Sequence, residues 1–175
     1  MRPQHGLTPA AIVLTFLTLI GFSSQCLAAP PKIGEITPRG AQRGVATELL
    51  INGSDLAGNP RLIAPFAFKI DSPSAGQSAS SWKSKLTIAA DVAVGVYPIR
   101  VQTDDGISNP FLFAVGQVPQ VVEKEDNSVF EAAQPILDPP LVVEGQVAGN
   151  DVDFFRFHGK KGQQILVDAQ CARIG

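Results

Sequence analysis

The sequence predicts an all-β protein made of small β-sandwiches, and three observations support that fold class. The apolar residues after position 28 come in short alternating runs rather than at helical spacing. Turn-forming residues interrupt these runs, with 16 Gly and 14 Pro in the chain. The breaks recur about every ten residues, which is typical of the strands of a sandwich.

Residues 1–28 have the pattern of an export signal and are excluded from the fold. Arg2 and His5 precede an apolar run over residues 10–22, and Cys26-Leu27-Ala28 supplies small residues at the last and third-last positions. The run is shorter than the roughly 20 apolar residues that span a bilayer. A cleaved signal is therefore favoured over a retained anchor, with a lipoprotein signal as a third alternative. We expect an exported bacterial protein, periplasmic, cell-surface or extracellular, with no transmembrane segment after cleavage.

Charge is distributed unevenly along the rest of the chain. Residues 30–122 carry eight basic and seven acidic side chains, whereas residues 123–175 carry five basic and nine acidic ones. The net charge from residue 29 onward is −3 (13 minus 16), so the chain has no field that attracts nucleic acid. The acidic C-terminal part would instead attract cations.

Five apolar stretches predict the strands of a first domain, and turn signals separate them. Asn52-Gly53 is predicted as a turn, and the Ser-, Ala- and Gly-rich residues 72–81 as a loop. Trp82, beside that loop, is interpreted as a partly buried anchor, with stacking on a sugar as the alternative. The predicted strands cover residues 48–51, 63–70, 85–90, 96–101 and 111–115.

The order of motifs in this first part is similar to that of a known family. Residues 31–40 read PKIGEITPRG, residues 50–56 read LINGSDL, and residues 95–101 read GVYPIRV, followed by GISNP and FLFAV. Together they resemble an IPT/TIG domain over residues 31–116, although residues 61–83 are longer than the family pattern. The resemblance implies an immunoglobulin-like β-sandwich that serves as a spacer, with a carbohydrate- or protein-binding surface as the alternative.

A second resemblance begins after residues 117–122, which are predicted as a linker because Pro119 breaks any continuing strand. Residues 123–128 read EKEDNS and residues 151–155 read DVDFF, with a glycine-bounded turn beyond them. This order resembles the beginning of a bacterial pre-peptidase C-terminal (PPC) domain. It departs from the family pattern E-x-E-P-N-N in lacking the proline and the second asparagine.

The PPC resemblance implies that residues 123–175 are the N-terminal part of an incomplete second β-sandwich of jelly-roll type. Residues 154–157 and 165–167 are predicted to pair as a β-hairpin around residues 158–162. A two-stranded piece is marginal in water, so we expect this part to fold poorly alone. Cys171, the one cysteine left after signal cleavage, also suggests a fragment of a longer chain.

Oxygen-bearing side chains at the beginning and in the middle of this second part predict a calcium site. Calcium takes roughly six to eight oxygen ligands. Residues 123–127 would reach Asp151 and Asp153 if the chain folds back on itself. The resemblance adds that similar modules of secreted bacterial collagenases bind calcium through the equivalent segment. The alternative is a solvated linker with two turn-capping aspartates. The candidate ligands are Glu123, Glu125, Asp126, Asn127, Asp151 and Asp153.

Catalysis finds little support in these residues, and no other cofactor is expected. His158, the only histidine after the signal, lies in a predicted turn, and the sequence has no nucleophile elbow, zinc motif or phosphate loop. We expect non-catalytic accessory modules that bind an extracellular polymer or protein. Their further partners would be downstream domains of the same chain. The alternative is the N-terminal region of a secreted hydrolase, a peptidase by family association, with its active site beyond residue 175.

Overall fold

The structure is a computed structural model that describes residues 29–71, 77–146, 149 and 151–170. The predicted signal at 1–28 and Cys171 lie outside the described residues. The described part is built from β-strands and one short 3-10 turn, Phe130–Ala132. Its strands are β1 Lys32–Thr37, β2 Gly40–Gln42, β3 Ala46–Ser54, β4 Arg61–Ile63, β5 Phe68–Asp71, β6 Ser81–Ile88, β7 Gly95–Thr103, β8 Gly106–Ile107, β9 Phe111–Gly116, β10 Gln120–Val122, β11 Gln134–Pro135, β12 Val142–Glu144 and β13 Phe155–Arg156.

Strands β1 to β9 form two sheets, which confirms the predicted all-β, immunoglobulin-like sandwich. A four-stranded sheet has the order β1-β3-β6-β5, and all its pairs are antiparallel. A five-stranded sheet has the order β2-β9-β7-β4, with β8 also paired to β7. Only β2, which runs parallel to β9, departs from antiparallel pairing in this second sheet.

The hydrophobic core lies between these two sheets. Alternate residues of each strand point inward, as the period of two in a pleated strand requires, so β6 alternates between buried and less buried positions along its length. Trp82 belongs to this inward set and is only 1% exposed, so it is a fully buried anchor and cannot stack on a sugar. The main core residues are Ile33, Ile36, Leu49, Ile51, Leu86 and Ile88 from one sheet and Leu62, Ile99, Val101, Phe113 and Val115 from the other.

The predicted turn at Asn52-Gly53 is wrong, because both residues lie inside β3. A Cβ placed on Gly53 would lie 1.9 Å from the carbonyl oxygen of Lys32. The β1–β3 register also shifts between Ile33 and Glu35, directly opposite this glycine. Gly53 therefore permits a close approach of two strands at a bulge, which is the other common use of glycine in a sheet.

The remaining strand predictions agree with the structure except at residues 63–70. That apolar stretch is split between two sheets, since β4 pairs with β7 whereas β5 pairs with β6. An apolar run of this length does not reveal a sheet change, because both halves contribute core residues. The stretches at 85–90, 96–101 and 111–115 correspond to β6, β7 and β9.

Asn109 joins the two sheets through its side-chain amide. Its Oδ1 accepts a hydrogen bond from the Ile33 N–H at 2.8 Å, and its Nδ2 donates to the Ile33 carbonyl at 3.0 Å. Nearby, the Ser108 hydroxyl accepts a hydrogen bond from the Val101 N–H at 2.9 Å. Side chains thus satisfy backbone groups where the β8–β9 connection leaves the regular ladder.

Residues 120–156 form two small parallel pairs, β10 with β12 and β11 with β13. The predicted hairpin between residues 154–157 and 165–167 is wrong for the described residues, because β13 pairs with β11 instead. Its turn is present, with the Gln163 N–H donating to the Lys160 carbonyl at 3.0 Å. Pairing with β11 brings Phe154 edge-on to Phe130, with ring centroids 6.5 Å apart, and this contact is not available to a free hairpin.

This second part has little core of its own. Among the described residues after 116, Ala133 is the buried apolar side chain, whereas Phe130 is 76% and Leu166 is 92% exposed. Apolar side chains of this size are normally covered in a finished domain. The second part therefore has an apolar surface that no described residue covers.

Candidate functional site

The solvent side of the five-stranded sheet is apolar along most of its length. Val96 lies beside Ala114, and Pro98 lies beside Leu112, in the β7–β9 register. Further along, Ile63 lies beside Arg100, and Arg61 beside Gln102. We call this surface the apolar face; it comprises Ile63, Val96, Pro98, Leu112 and Ala114, with Arg61, Arg100 and Gln102 at one end.

The charge on the apolar face is of one sign. None of the five strands of this sheet contains Asp or Glu, whereas β4 and β7 each contribute one arginine. The Arg100 guanidinium donates to the Ser108 carbonyl at 2.6 Å, which holds its position at the sheet surface. The face therefore combines exposed aliphatic side chains with positive charge.

The opposite sheet presents a different surface. Its strands carry four lysines and three carboxylates, and Lys85 lies between Glu48 and Asp71 in the strand register. Opposite charges placed side by side across strands form a solvated, mutually compensating surface. The contrast marks the apolar face, rather than the sandwich in general, as a surface suited to binding.

A cluster of polar side chains lies where residues 123–128 meet Asp151 and Asp153. Asn127 is 2% exposed, and its Nδ2 donates to Glu123 Oε1 at 2.9 Å. The Asn127 carbonyl accepts a hydrogen bond from the Phe154 N–H at 3.0 Å, which brings the segment next to Asp153. Ser128 donates to Asp151 Oδ1 at 3.2 Å. The structure thus brings Glu123, Asn127 and Asp153 together, with Asp151 nearby through Ser128.

Two oxygens of this cluster are buried without a hydrogen-bond partner, Asn127 Oδ1 and Asp153 Oδ1. Desolvation raises the pKa of Asp153, and the neighbouring charges of Glu123 and Asp151 raise it further. The charge of the neighbouring Glu123 carboxyl acts on Asp153, and two adjacent carboxylates repel each other unless a proton or a cation compensates them. Unpaired buried oxygens beside two carboxyls are the donor set that a hard cation prefers.

The other two predicted ligands, Glu125 and Asp126, are exposed to solvent. Glu125 is close enough for its charge to contribute to the raised pKa of Asp153, and Asp126 has a positive φ of 75°. Among the described residues, no three Asp, Glu, His or Cys side chains converge to hold a metal ion. The cluster therefore offers two carboxylates and an amide oxygen rather than a complete acidic cage. His158, the histidine judged non-catalytic, is exposed.

A second polar site, at Glu144, was not anticipated from the sequence. Its Oε1 accepts a hydrogen bond from the Arg39 backbone N–H at 2.6 Å, and its Oε2 accepts one from the Gln120 side-chain amide. Burial raises the pKa of Glu144, although these two donors lower it in part. Gln146 adds a hydrogen bond to Glu35 at 3.1 Å. These contacts join β12 to the β1–β2 corner of the sandwich, across 105 residues of sequence that no local pattern could relate.

Comparisons with known proteins found partial likenesses to solved structures. No protein-family profile matches the chain, and a comparison with curated proteins found no match. SGBP-B of the Bacteroides ovatus mixed-linkage glucan utilization locus, in complex with a mixed-linkage heptasaccharide, is 23% identical with a TM-score of 0.39; the match covers 53% of this chain and 24% of that one. The BIgI domain of beta protein from S. agalactiae, bound to CEACAM1, is 5% identical with a TM-score of 0.29 over 65% of this chain and 96% of that one.

Likenesses at these TM-scores carry no argument about the fold or the function of this chain. This chain also spans only about a quarter of SGBP-B, at 24% of its length. Over the residues that the structure describes, the fold and surfaces define an all-β protein with an immunoglobulin-like sandwich and an apolar sheet face. Among the described residues, no helix is long and apolar enough to cross a membrane. The IPT/TIG and PPC resemblances remain predictions.

Proposed function

We propose that this chain is a binding module of an exported bacterial protein and that the apolar face contacts the partner. One observation carries this proposal: a sheet without carboxylates exposes Ile63, Val96 and Leu112 to solvent. Clustered aliphatic side chains on a sheet surface are costly to hydrate and favour burial against another molecule. The partner is a protein segment that brings apolar side chains and carboxylates.

A protein partner fits this face better than a polysaccharide. Sugars are commonly held by exposed aromatic rings, but the exposed apolar side chains of this face are aliphatic. Trp82, the one tryptophan, is in the core. Arginine guanidiniums, in contrast, match protein carboxylates in both charge and geometry.

The setting of the module extends the proposal to a larger protein. The signal pattern at 1–28 supports export, and the uncovered apolar surface of residues 123–170 supports further β-structure beside it. We place the module as an IPT/TIG-like domain of residues 31–116, a connection of residues 117–122 that includes β10, and a PPC-like part from residue 123. It acts by binding and positioning rather than by catalysis. The hydrolase alternative depends on sequence beyond residue 175, where a catalytic motif would favour it.

A displayed library of random extended peptides, selected against the purified chain, tests the binding proposal. We expect enrichment of peptides that combine aliphatic residues with Asp or Glu. The variant Leu112→Lys should lose these peptides, because a lysine at the centre of the face is costly to desolvate. The matched control is Lys83→Leu on the opposite sheet, which should select the same peptides as the unaltered chain. No enrichment, or equal enrichment by both variants, would contradict the proposal.

We further propose that calcium stabilises the second part through Glu123, Asp153 and Asn127, with Asp151 beside them. The two buried oxygens without partners support this assignment. A bound cation would supply positive charge that compensates the adjacent carboxyls. The Asn127 carbonyl also holds residues 123–128 beside β13, because it accepts a hydrogen bond from the Phe154 N–H. Calorimetric titration of the chain with calcium, with magnesium as the comparison, measures the binding directly. If calcium produced neither binding heat nor thermal stabilisation of the chain, this assignment would be wrong.

A further inference from the structure

We propose that the apolar face of one molecule binds the acidic segment, residues 125–131, of a second copy of this chain. The inference rests on the proposed function of the apolar face and names its partner. The segment reads EDNSVFE, with three carboxylates and no basic residue. Val129 and Phe130 are exposed within it, at 54% and 76%. It therefore has both properties that the face calls for, apolar side chains and negative charge.

The acidic segment is held at the surface rather than free along its length. Asn127, at its centre, is buried and anchored to Glu123 and to the Phe154 N–H. The 3-10 turn at Phe130–Ala132 closes with an Ala133 N–H to Phe130 carbonyl bond of 3.3 Å. Less conformational entropy is then lost on docking than for an unanchored peptide.

Charge decides how two copies can meet. Two apolar faces placed against each other would set Arg61 and Arg100 either against the same arginines or against aliphatic side chains, depending on their orientation. The five strands carry no carboxylate to compensate the arginines in either case. A face placed against an acidic segment instead pairs two arginines with the carboxylates of Glu125, Asp126 and Glu131. Opposite potentials favour the second arrangement in both rate and specificity.

The contact must form between molecules. In a single chain Phe130 and Leu112 are both exposed to solvent, at 76% and 42%, so the segment does not cover the face of its own molecule. The segment is fixed beside β13, and the face lies on the sandwich. A face-to-segment contact joins different surfaces of the two copies, so it is heterologous and can propagate in a head-to-tail manner.

Sedimentation velocity of the full chain over a range of concentrations tests the proposal. We expect reversible association that weakens at least about tenfold when salt is raised from about 0.05 M to about 0.5 M. The face variant Arg61→Glu/Gln102→Glu and the segment variant Glu125→Lys/Glu131→Lys should each abolish it. None of the four residues is buried, so both variants should fold, which circular dichroism checks.

Mixing the two variants provides the decisive measurement, because each then offers the charge that the other lacks. Association should return in the mixture and in a chain that carries all four changes. The control Lys83→Glu, on the opposite sheet, should associate like the unaltered chain. A chain that stays monomeric at every concentration overturns the proposal, and so does association that the segment variant leaves intact. If the chain is monomeric yet still selects apolar and acidic peptides, the self-association proposal fails while the proposed binding function stands.

Discussion

The carboxyl of Asp153 has one oxygen buried without a partner and another carboxyl beside it. Its pKa in the folded chain is raised above the ordinary 3.8, so the folded state binds this proton more tightly than the unfolded state does. The free energy of unfolding of the calcium-free chain should therefore fall as pH rises from about 3.8 through the raised pKa. Urea unfolding followed by circular dichroism across this range, with chelator present, measures the slope.

Asp153→Asn tests whether the same carboxyl both titrates and binds the cation. The variant should lose the pH slope and be more stable than the unaltered chain at neutral pH without calcium. Its calcium affinity should fall by about 10- to 100-fold or more, as losses around metal sites do. Asp91→Asn, at an exposed position in the sandwich, is the control. A variant that keeps both the slope and the affinity would show that Asp153 is not the titrating ligand.

Asn109 should contribute to stability well beyond an ordinary surface amide. Asn109→Ala removes both hydrogen bonds to Ile33 and leaves a backbone N–H and C=O without these partners, so we expect a loss of about 2–4 kcal/mol. Thermal and urea unfolding of the variant measure this loss. Gln102→Ala, on β7 and exposed like Asn109, should change stability by less than about 0.5 kcal/mol. Equal effects of the two changes would remove the special role of Asn109.

The β1–β3 pair depends on a single glycine. Gly53→Ala would place a methyl group on the Lys32 carbonyl, so the strands must separate and we expect a loss of roughly 2–4 kcal/mol. Gly34→Ala, in the facing strand, is the matched control, since its Cβ would lie 3.6 Å from the nearest atom, Asn52 O. Comparison of the two urea midpoints tests this, and equal midpoints would show that the bulge can absorb a side chain.

Strand positions were predictable from the sequence where the alternation was strong, as in β6, β7 and β9. Predictions failed where one pattern fits two structures. An Asn-Gly pair is typical both of a turn and of a close contact between strands. The nearby Lys32 carbonyl, a tertiary neighbour, shows that this pair belongs to a close strand contact. The 154–157 run has the apolar pattern of a strand, but its partner, β11, is defined by tertiary contacts. The apolar face was not predicted at all, because it depends on the register of three strands.

The candidate cation cluster was predictable only in part, because tertiary contacts decide which of its residues are buried. Residue types and the family resemblance identified six candidate ligands, of which Glu123, Asn127 and Asp153 lie together and Glu125 and Asp126 are exposed. The burial of Asn127 beside the exposure of Asp126 follows from the backbone path at a positive φ. One sequence without its fold does not distinguish these neighbours.

At the scale of the whole molecule, the two parts differ in how they are stabilised. The sandwich has a continuous core, whereas residues 123–170 have short strands and exposed apolar side chains. We therefore expect limited proteolysis of the 175-residue chain to remove the second part first and to leave a fragment close to residues 29–116. Calcium should slow this cleavage by about tenfold or more, because binding stabilises the state that holds the ion.

Mass spectrometry of the fragments over time measures this order of cleavage. The Asp153→Asn variant is the control, since calcium should protect it little. Protection of residues 123–170 that equals protection of the sandwich, without calcium, would contradict the expected difference between the two parts. Cleavage inside β6 or β7 before any cut after residue 122 would do the same.

Trp82, the single tryptophan of the chain, is sealed in the sandwich core and has no hydrogen-bond partner for its indole N–H. Its emission should therefore be blue-shifted in the folded state and move to longer wavelength when the sandwich opens. Residues 123–170 contain no tryptophan, so their unfolding is silent to this signal. Fluorescence and circular dichroism melting curves recorded on one sample should consequently diverge, and the gap between them isolates the melting of the second part without any labelling.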